Sequence, residues 1–529
     1  MSSLECLKEY FTYESFRDKQ EEIVTDALTN IDQLVILPTG SGKSICYQLP
    51  ALIQKGITIV ISPLKSLILD QVANLKNKNI QVDAFYGDIS IAKKREVLDN
   101  MIDENYKKNI IYTTPETIDS NKEFLENLQL IREVGRLTRF VIDEAHCISL
   151  WGNDFRNSYR KLSNLKQIFP KIPIMALTAT ATQRVRTDSI HLLKLDNPKI
   201  YTKSYFRPNL KIEVYPRNKD TFNDIVRRIN SDFSEKTGII YCLSRKKCEE
   251  LSEKLQQHGI NCDPYHAGQS SKLRTSIQQK WQTGETPLIV ATIAFGMGID
   301  KANVRYVIHF NMPFSIENYY QEIGRAGRDE KESNCILYYS YQDKICADKL
   351  ILKSVNEKTN PKYKQHQINK LDAMLNYCQN IIDCRHCQIS NYLGEYRDYK
   401  NDSCRTSCDN CKNINSRVEV DVTDFSKIIL ESIMRISPPN KPSKSNVEKM
   451  FIKHENYNKL LSKFAAGDKK DSINNVNNIF RRLFIHLLAN KYIKETFVRT
   501  VSGYWRENYQ LYAKCKQIIN MNNKIKIYM

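Results

Sequence analysis

Short apolar runs separated by stretches of helical spacing fill the first two thirds of the chain. Between Ile31 and about Tyr205 the runs are Leu34-Val-Ile-Leu, Thr58-Ile-Val-Ile, Asn109-Ile-Ile-Tyr, Phe140-Val-Ile and Ile174-Met-Ala-Leu. Strands of this kind joined by helical crossovers predict a parallel α/β sheet. The pattern restarts after Arg207-Pro-Asn with Gly238-Ile-Ile-Tyr, Pro287-Leu-Ile-Val-Ala and Val304-Arg-Tyr-Val-Ile. A second, smaller α/β unit is therefore expected to end near residue 345. Residues 346–415 read as helical and then cysteine-rich, and residues 416–529 as amphipathic helices followed by strand, turn and strand. The Asn- and Lys-rich stretch at 466–479 reads as a surface loop, and no coiled-coil or short repeat is present. These shifts divide the chain at 1–205, 206–345, 346–415 and 416–529.

Charge and composition narrow the partners. No apolar run approaches the roughly 18 residues of a membrane span, and no signal-peptide pattern opens the chain. An intracellular, soluble protein with no membrane partner is expected. The formal net charge is +19, which favours an anionic polymer. Residues 421–529 hold 20 Lys and Arg against 9 Asp and Glu, a net +11. Of 15 cysteines, Cys6, Cys46, Cys147 and Cys242 sit in apolar or motif contexts and read as reduced core thiols.

Two strings carry the chemistry. Leu34-Val-Ile-Leu runs into Pro38-Thr39-Gly40-Ser41-Gly42-Lys43-Ser44 and then into a helical stretch. Glycines there let backbone N–H groups face phosphate oxygens, with the helix N-terminus behind them. Lys43 is placed to reach the β- and γ-phosphates and Ser44 to ligate magnesium. Leu37 stands where the general pattern has Gly. The second string, Asp143-Glu144-Ala-His146, closes a strand. Asp143 suits the magnesium shell and Glu144 the polarisation of a hydrolytic water. Thr178 and Thr180 in Leu177-Thr-Ala-Thr-Ala181 can bridge the two strings. Tyr319-Tyr-Gln-Glu-Ile-Gly-Arg-Ala-Gly-Arg-Asp329 sets Arg325 and Arg328 three apart, expected on one helical face. Guanidiniums there can stabilise transition-state charge on a γ-phosphate.

With these motifs the chain resembles the RecQ family of superfamily-two DNA helicases over residues 4–415. Tyr13-Glu-Ser-Phe-Arg17-Asp-Lys-Gln20 is similar to the family's adenine-recognition element. By that resemblance Gln20 reads the adenine edge, Tyr13 and Arg17 pack on the ring, and His146 and Gln321 join the nucleotide site. Cys147-Ile-Ser-Leu-Trp151-Gly-Asn-Asp-Phe155-Arg156 resembles the aromatic-rich loop that couples single-stranded DNA to hydrolysis. Leu150 and Asn153 replace the family's usual Gln and His. Ser62-Pro-Leu, Thr113-Thr-Pro-Glu116, Phe206-Arg-Pro-Asn, Tyr265-His-Ala-Gly268 and Ala291-Thr-Ile-Ala-Phe-Gly-Met-Gly-Ile-Asp300 are further family-like strings. The resemblance places them along a DNA groove or the interlobe cleft, with Gly298 and Asp300 near the nucleotide.

Cys378, Cys384, Cys387, Cys404, Cys408 and Cys411 cluster in sequence with His386. Their spacing fits a structural zinc, and a disulfide set is the competing reading. The family resemblance selects Cys384, Cys404, Cys408 and Cys411 as zinc ligands. It implies two tandem RecA-like motor domains, a helical zinc-binding subdomain and a winged-helix domain, without the further C-terminal helical domain some members carry. Phe425-Ser-Lys-Ile-Ile-Leu and Asn474–Phe484 are candidate helices of that module. Ser502-Gly503 is a candidate hairpin turn, with Tyr504 or Trp505 at its tip. The expected activity is 3′–5′ unwinding of DNA with ATP, Mg2+ and Zn2+, in repair, recombination or replication. Single-stranded and tailed duplex DNA are the expected partners, in the nucleus or another DNA-containing compartment. An RNA helicase and a non-unwinding annealing protein are the alternatives.

Overall fold

The computed structural model describes residues 2–103, 106, 108–149, 157–296, 301–354, 361–417, 419–436, 442–454, 472–499, 505–512, 515 and 525–528. Seven strands form the first sheet: β1 (Gln33–Ile36), β2 (Ile57–Ile61), β3 (Asp83–Phe85), β4 (Ile110–Thr113), β5 (Leu137–Ile142), β6 (Ile174–Thr178) and β7 (Lys199–Thr202). Their order is β3-β4-β2-β5-β6-β1-β7, and every pairing is parallel. Alternate residues feed opposite faces, as strand geometry requires. Val35, Val60, Val141 and Met175 pack with the helices Gln20–Leu28 and Ile45–Ile53. Leu34, Ile59, Phe140 and Ile174 join the core on the other face.

The second sheet has six parallel strands: β8 (Leu210–Pro216), β9 (Thr237–Tyr241), β10 (Cys262–Tyr265), β11 (Leu288–Ala291), β12 (Val304–His309) and β13 (Ser333–Tyr339). Their order is β10-β11-β9-β12-β13-β8. Short strands such as β3, β7 and β10 lie at the sheet margins, where half-exposed positions weaken the apolar signal. The cysteine-rich segment docks on the β8 edge. Ile212 donates its N–H to the Ser407 carbonyl at 2.9 Å, and Val214 donates to Asp409 Oδ2 at 3.2 Å.

The C-terminal residues have their own core. Phe425, Ile429, Val447, Phe451, Phe480, Phe484 and Leu487 gather from the helices Thr423–Arg435, Lys444–Ile452 and Ser472–Ala489. Two strands, β15 (Ile493–Arg499) and β16 (Trp505–Leu511), pair antiparallel, and β14 (Glu419–Asp421) pairs with β17 (Lys526–Tyr528). The expected loop at 466–479 is overturned from Ser472 onward, where the residues are helical. Phe480, Leu483, Phe484 and Leu487 recur at helical spacing and are buried, so packing of that stripe outweighs the weak propensity of Asn before it.

A buried ionic junction joins this module to the rest. Lys344 Nζ lies 2.7 Å from Asp348, 3.4 Å from Asp372 and 2.9 Å from Glu495 on β15. The hydroxyls of Tyr341 and Tyr509 both donate to Glu495 Oε1, at 2.8 and 3.0 Å. Among the described residues no helix is long and apolar enough to cross a membrane.

Candidate active site

Strand order brings the two chemical strings together. Pro38–Ser44 follows β1 and Asp143–His146 follows β5, while β6, between them in the sheet, ends in Thr178. All three lie at the carboxyl ends of parallel strands, where ligands bind in open α/β sheets. Gly40 has φ +86°, and a Cβ there would sit 3.0 Å from Arg328 Cγ. Glycine takes that backbone without strain, and a side chain there would crowd the arginine. The helix Ile45–Ile53 starts directly behind Ser44 and directs its N-terminus at the loop.

Lys43 donates to the carbonyls of Leu37 at 3.0 Å and Pro38 at 3.4 Å. Burial lowers its pKa, while Glu144 and Asp143 pull the other way. Burial and the adjacent Glu144 push Asp143 up to about 7. Burial also raises Glu144, but His146, Lys43 and Arg325 together hold that carboxylate below its ordinary value. His146 Nδ1 is 3.2 Å from Glu144 Oε2 and 2.9 Å from Thr178 Oγ1. Burial lowers the imidazole, yet Cys147 and Glu144 carry it well above its usual pKa. The Ser44 hydroxyl and Asp143 carboxylate are hard oxygen donors that suit magnesium. The raised proton affinity of Asp143, beside a second carboxylate, fits a pair that needs a cation.

The second sheet brings its arginines to the same cleft, but not on a helix. The helix Ile316–Ile323 ends before them, so the expected helical face is corrected to a turn. Gly327 at φ +57° supports that turn. Arg325 is 7% exposed and lowers the pKa of Glu144, while Arg328 lowers that of Lys43. Gln321, on the last helical turn, donates to Thr180 Oγ1 at 3.3 Å, linking the two sheets.

The N-terminal triplet lies beside the loop. Gln20 is buried, and its amide donates to the Ser41 and Gly42 carbonyls, both at 3.1 Å, while accepting from Arg17 N at 2.9 Å. Arg17 Nη1 reaches the Gly40 carbonyl at 3.5 Å, and Tyr13 is 47% exposed. A cavity of about 370 Å³ is lined by Arg17, Thr39, Gly40, Ser41, Lys203 and Arg328 among others.

The Sγ atoms of Cys384, Cys404, Cys408 and Cys411 lie within 4.8 Å of one another. A tetrahedral zinc with bonds of about 2.3 Å needs thiolates roughly 3.8 Å apart, so this group fits. The Cys404 N–H donates to Cys384 Sγ at 3.3 Å and the Cys411 N–H to Cys408 Sγ at 3.4 Å. Cys387 Sγ instead faces the Asp402 carbonyl at 3.3 Å, and Cys378 is buried in the core. Cys6, Cys46, Cys147 and Cys242 are buried free thiols.

Leu150, Trp151, Asn153, Phe155, Arg156, Gly298, Asp300 and Tyr504 lie outside the described residues, as does the Trp505 side chain. Sequence alone did not reveal the contacts of Arg207 and Asn209 with the arginine-bearing turn. Phe206-Arg-Pro-Asn drew notice only as a family-like string, because its partners lie more than a hundred residues away.

Three family models match the chain: DEAD/DEAH box helicase over 17–188, helicase conserved C-terminal domain over 220–330 and RecQ zinc-binding over 341–412. ATP-dependent helicase SGS1 of Saccharomyces cerevisiae is 37% identical over 537 residues, covering 98% of this chain and 36% of that protein. ATP-dependent DNA helicase Q1 of Rattus norvegicus is 36% identical over 496 residues, covering 93% of this chain and 77% of that one. The chain spans about a third of the length of several relatives it matches. Among solved structures, Mycobacterium smegmatis helicase Lhr bound to ssDNA and AMP-PNP shares the fold. Its TM-score is 0.52 at 16% identity, covering 99% of this chain and 82% of that one.

Proposed function

The chain belongs to the RecQ family of superfamily-two helicases, and on that premise we propose that it is an ATP-dependent 3′–5′ DNA helicase. The observation that carries the reading is the convergence of three strings on one cleft: the phosphate loop, Asp143–His146 and the Arg325–Arg328 turn. Each comes from a different part of the chain, and the last from a different sheet. Lys43 and the loop N–H groups hold the phosphates. Ser44 and Asp143 hold magnesium, which supplies charge neutralisation on the phosphate oxygens when bound. Glu144 accepts the proton of the attacking water, with His146 beside it. Arg325 and Arg328 stabilise charge developing on the γ-phosphate, a contribution of about 10³-fold or more in related hydrolases. Gln20, Tyr13 and Arg17 hold the adenine, with Thr39, Gly40, Ser41 and Gly42 wrapping the phosphates and His146 and Gln321 completing the site.

Residues 1–205 and 206–345 act as the two motor lobes. Closure on ATP and release after hydrolysis step them along one strand. Residues 346–415 form the zinc subdomain, with Cys384, Cys404, Cys408 and Cys411 as ligands. Residues 416–529 form a winged helix: among the described residues, helices followed by two antiparallel strands support it, and its net +11 suits duplex phosphates. Trp151, Phe155 and Arg156 contact single-stranded DNA. Single-stranded and tailed duplex DNA are the partners, in repair, recombination or replication, and the nucleus or another DNA-containing compartment is the expected location.

Relatives are named DNA helicases, which favours DNA over RNA. Hydrolysis with single-stranded DNA or single-stranded RNA of the same sequence tests this. Stimulation by DNA alone is expected; stimulation by RNA alone would replace the reading with an RNA helicase.

A further inference from the structure

The segment joining the two sheets, residues 203–209, is held at both ends, and its Arg207 and Asn209 also line the cavity beside the phosphate loop. Arg207 directs its guanidinium into the arginine-bearing turn. It donates to the carbonyls of Gly324 at 3.2 Å, Ala326 at 3.0 Å and Gly327 at 2.6 Å. Asn209 adds bonds to Gly327 at 3.0 Å and Lys331 at 3.1 Å. These carbonyls flank Arg325 and precede Arg328. The turn is not helical, and of its carbonyls that of Gly327 also accepts a backbone N–H, from Glu330 at 3.1 Å. A side chain on Gly327 would place Cβ 2.5 Å from Asn209 Nδ2, so the fit of segment to turn is tight. The other end is clamped from the cysteine-rich region. Glu395 accepts from the Ser204 hydroxyl at 2.7 Å and the Tyr205 N–H at 2.6 Å. The Arg397 guanidinium lies 4.6 Å over the Phe206 ring.

We propose that Arg207 is a positioning residue: it fixes the backbone turn that aims Arg325 and Arg328 at the phosphate loop. Its planar fork of five donors suits three diverging carbonyls, whereas a lysine ammonium cannot span them. The link between lobes thereby carries the arginine turn with it. Lobe rotation and arginine placement become one motion, and the Glu395 clamp ties that motion to the zinc side. The inference rests on the ATP-hydrolysing reading of the cleft.

The test uses the full chain with Arg207→Ala, Arg207→Lys, Arg325→Ala and the Arg207→Lys/Arg325→Ala double variant. DNA-stimulated kcat and KM, and the affinities for ADP and ADP–aluminium fluoride, are measured, with zinc content and melting temperature as fold controls. For Arg207→Ala we expect kcat to fall by about 10²-fold with ADP affinity held within about twofold. The preference for ADP–aluminium fluoride over ADP should shrink as in Arg325→Ala. Arg207→Lys should lose about tenfold in kcat and remain folded, so it decides the matter if the alanine variant does not fold. In the double variant the Lys substitution should add little to the loss from Arg325→Ala, because both remove one device. Multiplicative losses, or full kcat in Arg207→Lys, would overturn the proposal. A parent protein that hydrolyses no ATP would instead overturn the reading beneath it.

Discussion

The side-chain amide of Gln321 donates to the hydroxyl of Thr180 at 3.3 Å, and that contact completes a polar chain across the cleft. Glu144 meets His146 at 3.2 Å, His146 meets Thr178 at 2.9 Å, and the Thr178 hydroxyl donates to the Thr180 carbonyl at 3.1 Å. His146, ion-paired with Glu144 in one lobe, and Gln321, on the helix preceding the arginines in the other, thus both reach the Thr178–Thr180 stretch. Gln321→Ala removes the crossing. DNA-stimulated hydrolysis should fall by about tenfold, within the usual range of coupling energies, with a smaller effect on the unstimulated rate. Equal losses in both rates would show that Gln321 serves binding rather than coupling.

Glu144→Gln keeps the shape of the site and removes the proposed base. ATP should still bind, while kcat drops by about 10²–10⁴-fold, the usual scale for losing a general base. Nucleotide binding measured beside single-turnover hydrolysis separates the two steps. A variant that retains parental kcat would displace Glu144 from its role.

Four thiols within 4.8 Å make a specific statement about zinc. Cys408→Ser should yield zinc-depleted, less stable protein, since a structural zinc contributes folding energy outright. Cys387→Ser should retain about one zinc per chain, because Cys387 faces the Asp402 carbonyl instead. Metal analysis of both variants checks the ligand set: zinc loss in Cys387→Ser with zinc retained in Cys408→Ser would reverse it.

The junction around Lys344 carries more negative than positive charge. Burial pushes Asp348 up to about 6, above its ordinary 3.8, against the pull of Lys344 and with help from Glu495 and Asp372. A raised carboxyl pKa favours the protonated form in the folded state. Its stabilising share is complete below the unfolded value and lost as pH rises through about 6. Asp348→Asn mimics the protonated group and keeps an acceptor for Lys344. It should raise stability at about pH 7.5 by roughly 1–3 kcal/mol, a gain that fades toward about pH 4. Thermal unfolding at both pH values reads this directly, and a lower melting temperature at the higher pH contradicts it.

Much of the site was legible because its pieces are local. Pro38–Ser44 and Asp143–His146 encode strand, turn and donor group within a few residues each, whereas the sheet order, which sets β5 and β6 between β1 and β2, is not local and was not legible. The cysteine set needed only spacing and the family resemblance. Other features depend on long-range packing. Gly324 and Gly327 end the helix that the spacing of Arg325 and Arg328 suggested, and the turn they leave is shaped by Arg207 from the interlobe link. Asn-rich composition before Phe480 read as a loop, whereas the apolar stripe behind it extends the helix to Ser472. Gln20, expected at the adenine, also bonds the Ser41 and Gly42 carbonyls, a contact that only the folded loop creates.

The most direct test of the account is displacement of a strand from a duplex bearing a 3′ single-stranded tail, with a 5′-tailed duplex alongside and with or without ATP. ATP-dependent displacement from the 3′-tailed duplex alone is the expected result. Displacement from the 5′ tail alone, or none from either while DNA still stimulates hydrolysis, would contradict a 3′–5′ helicase.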